Sequence, residues 1–199
     1  MSITLVAGLG NPGRDYAATR HNAGWQLLDA LARREGLSWR HEKSFDAEIT
    51  RWTRPDGRVV LLAKPQTFMN DSGRSLAALG AYFKVGNRAM AVVYDDLALD
   101  LGRLKISERG SSGGHNGIAS LLQHVGDGFV RFRIGIGPKA PAQMDLKDFV
   151  LGKFTPEQQA LFDKNLDQML SGLDLLLTSG PAQAMNTLNR RETHEPDQP

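Results

Sequence analysis

The chain has 199 residues, 23% of them charged, and 24 Lys and Arg against 22 Asp and Glu give a formal net charge of +2. That balance describes an ordinary globular protein with a sizeable core, expected to occupy residues 1–191 as one domain in the cytoplasm, with a disordered polar tail at 192–199. No apolar run is long enough to span a membrane, the N-terminus reads as an internal strand instead of a secretory signal, and the lack of cysteine excludes disulfides, thiolate metal sites and cysteine nucleophiles.

The first element is an apolar strand, Ile3–Ala7, followed by the loop GLGNPGRDYAATRHN from Gly8 to Asn22. Gly8-Leu9-Gly10-Asn11-Pro12-Gly13 matches a dinucleotide fingerprint in letters only. That fingerprint needs a helix opening at the glycines to receive the pyrophosphate. Here the helical pattern begins about ten residues later, over Ala23–Glu35, with Asn22 as its expected N-cap and Gly36 as its end. The glycines are expected instead to let the backbone turn and approach a substrate closely.

Strands at Ala47–Thr53 and Arg58–Ala63 flank Arg54-Pro55-Asp56-Gly57, a turn sequence that makes them a hairpin. A helix over Gly73–Lys84, capped by Ser72, follows the segment Phe68-Met69-Asn70. The strand Ala91–Asp95 is expected to close at Asp95 and Asp96. Further on come strands Arg103–Ser107 and Arg131–Gly137, a helix over Gly117–Val125, and helices Pro156–Leu177 and Pro181–Arg190. Thr155, Pro156 and Gln158 supply a cap, an N1 proline and a capping-box partner. Strands alternating with helices, interrupted by a hairpin, predict an α/β single domain with a twisted mixed β-sheet flanked by helices on both faces.

Polar groups collect where such a sheet presents ligands, beyond the carboxyl ends of its strands: Asn11 and His21, Asn70, Asp95, then His115 and Asn116. Their types suit hydrolysis by activated water. A neutral histidine takes a proton near pH 7, a carboxylate on its other nitrogen fixes the tautomer, and asparagine amides orient a carbonyl without titrating. No G-x-S-x-G elbow supports a serine nucleophile. Read singly, each residue has a plainer alternative. His21 would cap or pack at a helix start, Asp95 would cap a turn, Asn11 and Asn70 would hold turns, and His115-Asn116 would open a helix. A metal held by His21, His115 and Asp95 has no H-x-x-x-H spacing behind it and is not expected. Arg103, Lys105, Arg109, Arg131 and Arg133 fall in two nearby stretches, with Arg14 and Arg20 in the first loop; they read either as a basic face for nucleic-acid phosphates or, more plainly, as solvated strand ends.

Five ordered segments give a sharper reading. They are Gly8 to Gly24 (GLGNPGxxYxxTRHNAG), Lys64 to Gly73 (KPQTFMNxSG), Asp95 to Leu97 (DDL), Gly110 to Gly117 (GSSGGHNG) and Arg131 to Pro138 (RxRIGIGP). In these the chain resembles bacterial-type peptidyl-tRNA hydrolases, over about three quarters of its length.

The resemblance implies an esterase that frees tRNA and peptide from peptidyl-tRNA, with His21 as general base and Asp95 holding it. Asn11 would contact the peptide backbone and help distinguish blocked from free aminoacyl-tRNA. It further implies substrate contacts at Tyr16, Phe68, Asn70 and Asn116, and tRNA or cleft roles for His115, Lys105 and Arg133, with Arg109 beside them. The acceptor stem and 3′ end of the tRNA would be the partner, with no membrane, no metal, no cofactor and a monomeric state. Three positions depart from the pattern: Asp71 where an apolar residue is common, Ala98 for an acid, and Ser107 for a second lysine. The departures predict altered tRNA affinity before lost chemistry. A noncatalytic RNA-binding protein on the same fold and a small-molecule hydrolase or nucleotide-binding protein are the rival readings.

Overall fold

A computed structural model describes residues 2–190; the predicted tail, 192–199, lies outside them. Seven strands form one mixed sheet: β1 (Leu5–Gly8), β2 (Arg40–Glu42), β3 (Ala47–Thr53), β4 (Val59–Pro65), β5 (Met90–Asp100), β6 (Leu104–Ser107) and β7 (Val130–Gly137). Their order is β2-β3-β4-β1-β5-β7-β6. The central strands β4, β1, β5 and β7 are parallel, and antiparallel pairs close both edges.

Alternation along the strands sorts side chains between two cores. Val6, Leu62 and Val93 face one core with Leu27, Leu28 and Leu31 of α1 (Ala23–Arg34). Phe149 of α4 (Leu146–Leu151) joins it, as do Phe162, Leu173 and Leu177 of α5 (Pro156–Leu188). Leu5, Ala7, Leu61 and Val92 face the other core, with Leu76 and Leu79 of α2 (Ser72–Phe83) and Ile118 and Leu121 of α3 (Asn116–His124). Helices therefore cover both faces of the sheet, as expected.

The helix termini follow their local chemistry. Gly36 sits at φ 64° after α1, and the Leu37 amide reaches the Ala32 carbonyl in a Schellman-type closure. The Thr155–Gln158 capping box opens α5. Gly180 breaks that helix at φ 81° and Pro181 restarts it, so the two predicted helices meet end to end at a kink.

Several expectations need correction. Asn22 and Ser72 do not cap through their side chains. The Ser72 hydroxyl donates to the Met69 carbonyl from inside the first turn, and Asn22 turns to the loop. The strand holding Asp95 does not close there but runs on to Asp100, with a register shift between Asp96 and Asp100. It can continue because Gly135 and Gly137 of β7 leave room for its carbonyls. Two elements carried no signal, the three-residue edge strand β2 and the six-residue helix α4.

Of the glycines in the first loop, Gly13 turns the chain at φ 110°, as expected, while Gly8 and Gly10 serve close packing. A Cβ on Gly8 would lie 2.5 Å from the Gly24 carbonyl, and one on Gly24 would lie 2.3 Å from the Val93 carbonyl. One on Gly10 would meet the Trp25 ring at 2.7 Å. The start of α1 thus seats directly on β1 and β5, which fixes where the preceding residue, His21, emerges.

Candidate active site

Strands β4, β1 and β5 are parallel neighbours, so the segments that follow them emerge at one edge of the sheet. The chain passes from β1 to β4 on one side and then to β5 on the other, and a crevice forms where the direction of winding changes. A cleft of about 1050 Å³ occupies that position. His21, Asp95, Asn11 and Asn70 line it, as do Tyr16, Phe68, His115 and Asn116. Arg109 and Arg133 line it too, but Lys105 does not; it is exposed on β6, across the ladder from Arg133.

His21 and Asp95 are both buried, at 7% and 3% exposure. The Nδ1–H of His21 donates to Asp95, 2.9 Å from Oδ1 and 3.0 Å from Oδ2. His115 donates its Nε2–H to the same Oδ1 at 3.1 Å, while its Nδ1 accepts from the Ile118 amide at the start of α3. That second bond sets the His115 tautomer, because a nitrogen that accepts cannot carry the proton. The ionised Asp95 only accepts, so it sets the His21 tautomer in turn. Nε2 of His21 is then left unprotonated and able to take a proton.

Burial pushes the Asp95 carboxyl up. The two imidazoles and their hydrogen bonds outweigh it and hold the group well below the usual carboxylate range. The edge of Tyr94 packs on the His115 ring at 5.0 Å, and the two imidazoles lie 4.7 Å apart.

His21, Asp95 and His115 are also the group, among the described residues, whose donor atoms lie close enough to hold a metal, within 4.8 Å of one another. Coordination through Nε2 of His115 would require moving its proton to Nδ1, against the Ile118 amide. The donor set as hydrogen-bonded fits protons better than a cation.

Asn11 is held on three sides. Oδ1 of Asn22 accepts from the Asn11 amide at 2.9 Å, and Nδ2 of Asn22 donates to the Asn11 carbonyl at 3.0 Å. The side-chain Oδ1 of Asn11 accepts from the Met69 amide at 2.8 Å. The Nδ2 donors of Asn11 are left for the cleft. Phe68 stands 60% exposed at the rim, with Tyr16 edge-on to it at 6.5 Å. Asn70 and Asn116 are exposed.

The basic face does not hold as read. Arg20 is buried, donating to the Phe149 carbonyl and to Gln158, with its guanidinium 4.4 Å over the Phe149 ring. Arg131 is 2% exposed and donates to the carbonyls of Gly110 and Ser111. Both are internal ties: Arg20 joins the first loop to α4, and Arg131 joins β7 to the glycine-rich loop before α3. Arg133 lies partly buried with its Nε on Asp96, at 2.5 Å. Arg109 and Lys105 are exposed. Of the departures from the family pattern, Asp71 forms an exposed ion pair with Arg74, Ala98 donates its amide to Asp96, and Ser107 lines the cleft.

Three contributions escaped the sequence reading. They are the Asn22 clamp, the role of Asp96 in orienting Arg133, and the α4 residues Leu146 and Val150 in the cleft wall. For Asn22 a signal was present in its place beside His21, but a helix-start asparagine reads first as a cap.

Known proteins share this arrangement of sequence and fold. The sequence profile of the peptidyl-tRNA hydrolase family matches residues 5–196. A peptidyl-tRNA hydrolase from Gloeobacter violaceus is 42% identical over 200 residues, covering 100% of both chains. One from Chloroflexus aggregans is 43% identical over 187 residues, covering 93% of this chain and 98% of its own. The crystal structure of peptidyl-tRNA hydrolase from Acinetobacter baumannii superposes with a TM-score of 0.87 at 36% identity, covering 94% of each chain.

Proposed function

The chain belongs to the peptidyl-tRNA hydrolase family, and we propose how its residues carry out that family's reaction. It hydrolyses the ester between a peptide carboxyl and a ribose hydroxyl of tRNA, releasing both. His21 takes a proton from water at Nε2, and the resulting hydroxide attacks the ester carbonyl. Asp95 keeps Nδ1 protonated and stabilises the imidazolium that forms. The tetrahedral intermediate collapses by breaking the bond to the ribose oxygen, which takes the proton back from His21. An ester is an activated acyl group, so water, a base and modest oxyanion stabilisation by neutral amide donors are sufficient.

The observation that carries this reading is the His21–Asp95 hydrogen bond at the wall of the large cleft, beside the Asn11 amide. Asn11 would contact the peptide backbone, with Tyr16, Phe68, Asn70 and Asn116 around the substrate. Lys105, Arg109 and Arg133 would meet phosphates of the acceptor stem and 3′ end, where contacts position without reading sequence. His115 would serve cleft architecture by sharing Asp95. The reading takes the enzyme as a cytoplasmic monomer. Among the described residues no helix is long and apolar enough to cross a membrane.

The test is release of N-acetyl-aminoacyl groups from tRNA by the natural protein and His21→Ala, with unblocked aminoacyl-tRNA as control. Cleavage of the blocked substrate that disappears in His21→Ala is expected. Cleavage that survives would overturn His21 as base, and tRNA binding without cleavage would favour a noncatalytic RNA-binding role.

A further inference from the structure

We infer that Asn22 is a positioning residue for substrate selection, setting through Asn11 the preference for N-blocked over free aminoacyl-tRNA. The inference rests on the reading of Asn11 given above. Asn22 is fully buried and follows His21 directly in the short turn before α1. Its amide pairs with both backbone groups of one residue, accepting from the Asn11 N–H at 2.9 Å and donating to the Asn11 C=O at 3.0 Å. This fixes the peptide planes on either side of Asn11 from eleven positions along the chain.

With the backbone held, the side chain of Asn11 has its Oδ1 taken by the Met69 amide. That bond decides which end of the Asn11 amide is free, since an accepting atom on the Met69 side leaves the donors facing the cleft. A donor so aimed fits an acceptor such as the carbonyl of a peptide or acyl-blocked amino group. A free α-amino group presents no carbonyl there and, when protonated, meets N–H donors unfavourably.

The chemistry of the clamp is specific to asparagine. A carboxamide offers a donor and an acceptor at the separation of a residue's own N–H and C=O without depending on protonation, which an ionised carboxylate does not. Aspartate would place an oxygen against the Asn11 carbonyl, and serine would reach one group at most. A loop tie alone would need either bond; aiming Nδ2 of Asn11 needs both, because a small rotation of the loop moves a side-chain donor out of hydrogen-bonding geometry.

The test uses full-length Asn22→Ser, Asn22→Asp and Asn11→Ala with N-acetyl-phenylalanyl-tRNA and phenylalanyl-tRNA. kcat/KM is measured on each, together with the pH profile on the blocked substrate. Asn22→Asp is isosteric and keeps the acceptor for the Asn11 amide, so it preserves the loop if Asn22→Ser fails to fold. The expected result is a preference for the blocked substrate reduced by about tenfold or more, as one misaligned hydrogen bond allows. Asn11→Ala would lose it similarly, and the pH profile would keep its midpoint. A preference unchanged in the folded Asn22 variants, with both substrates slowed alike, overturns the inference and leaves a purely structural tie. A preference unchanged in Asn11→Ala instead overturns the reading of Asn11 on which it rests.

Discussion

Nδ1 of His21 lies 2.9 Å from Oδ1 of Asp95, between a buried ring and a buried carboxylate. The pair occurs where β1 and β5 run side by side, and α1 is pressed against both strands through Gly8 and Gly24. Asp95 also serves His115, so one carboxylate sets two tautomers.

Replacing Asp95 by Asn should remove that control. A neutral amide cannot accept from both imidazoles in the same way, and His21 is free to place its proton on Nε2. A fall in kcat of about 10²- to 10⁴-fold is expected, with little change in KM. Steady-state kinetics on N-acetyl-aminoacyl-tRNA would show it, and a variant within a few-fold of the natural protein would exclude Asp95 from the mechanism.

The same carboxylate links stability to pH. Its folded value lies below the unfolded one, which is roughly 3.9. The stabilisation is therefore present above pH about 4 and lost as the pH falls through the folded value. Urea unfolding between pH 7 and pH 3 should show the natural protein losing stability at the acid end, with a shallower loss in Asp95→Asn. Parallel curves would contradict the assigned shift.

Arginines of the predicted basic face should separate into two groups. Arg131 is enclosed and ties the loop at Gly110 and Ser111, so Arg131→Ala should cost about 2–4 kcal/mol in urea unfolding. Lys105→Ala and Arg133→Ala should leave stability nearly intact. Each should reduce the slope of log binding constant against log salt for tRNA by about one. An unchanged slope in both would remove these residues from the tRNA interface.

Gly24→Ala tests the seating of α1. The added Cβ would fall 2.3 Å from the Val93 carbonyl and 2.7 Å from the Leu9 amide nitrogen, both backbone atoms that cannot swing aside. A loss of about 1–3 kcal/mol is expected, with a lower kcat because His21 shifts relative to Asp95. Thermal unfolding and kinetics on the same preparation would check both, and an unperturbed variant would show that the helix start is free to move.

Much of this was legible because it is local. The hairpin turn at Arg54–Gly57, the Thr155 capping box, the glycine closing α1 and the break at Gly180-Pro181 are set by residues within a few positions of one another. His21, Asp95, Asn11 and Asn70 could be named because loops after parallel strands gather at one sheet edge. β2 and α4 were not legible, because three charged-to-polar residues at a sheet edge and six residues of helix are too short to show a period.

By itself the sequence determined most of the strands and helices and the α/β class, through spacing and side-chain type along the chain, and its five ordered motifs carried the resemblance to one family. Tertiary structure alone decided partners. It turned Asn22 from the helix it was expected to cap to the Asn11 backbone, and it enclosed Arg20 beneath Phe149, 129 positions away. It also enclosed Arg131 and placed two histidines on one oxygen of Asp95. Charge and hydrogen-bonding capacity are properties of a residue, but whether they face water, a ligand or a distant carbonyl depends on which segments the sheet brings together.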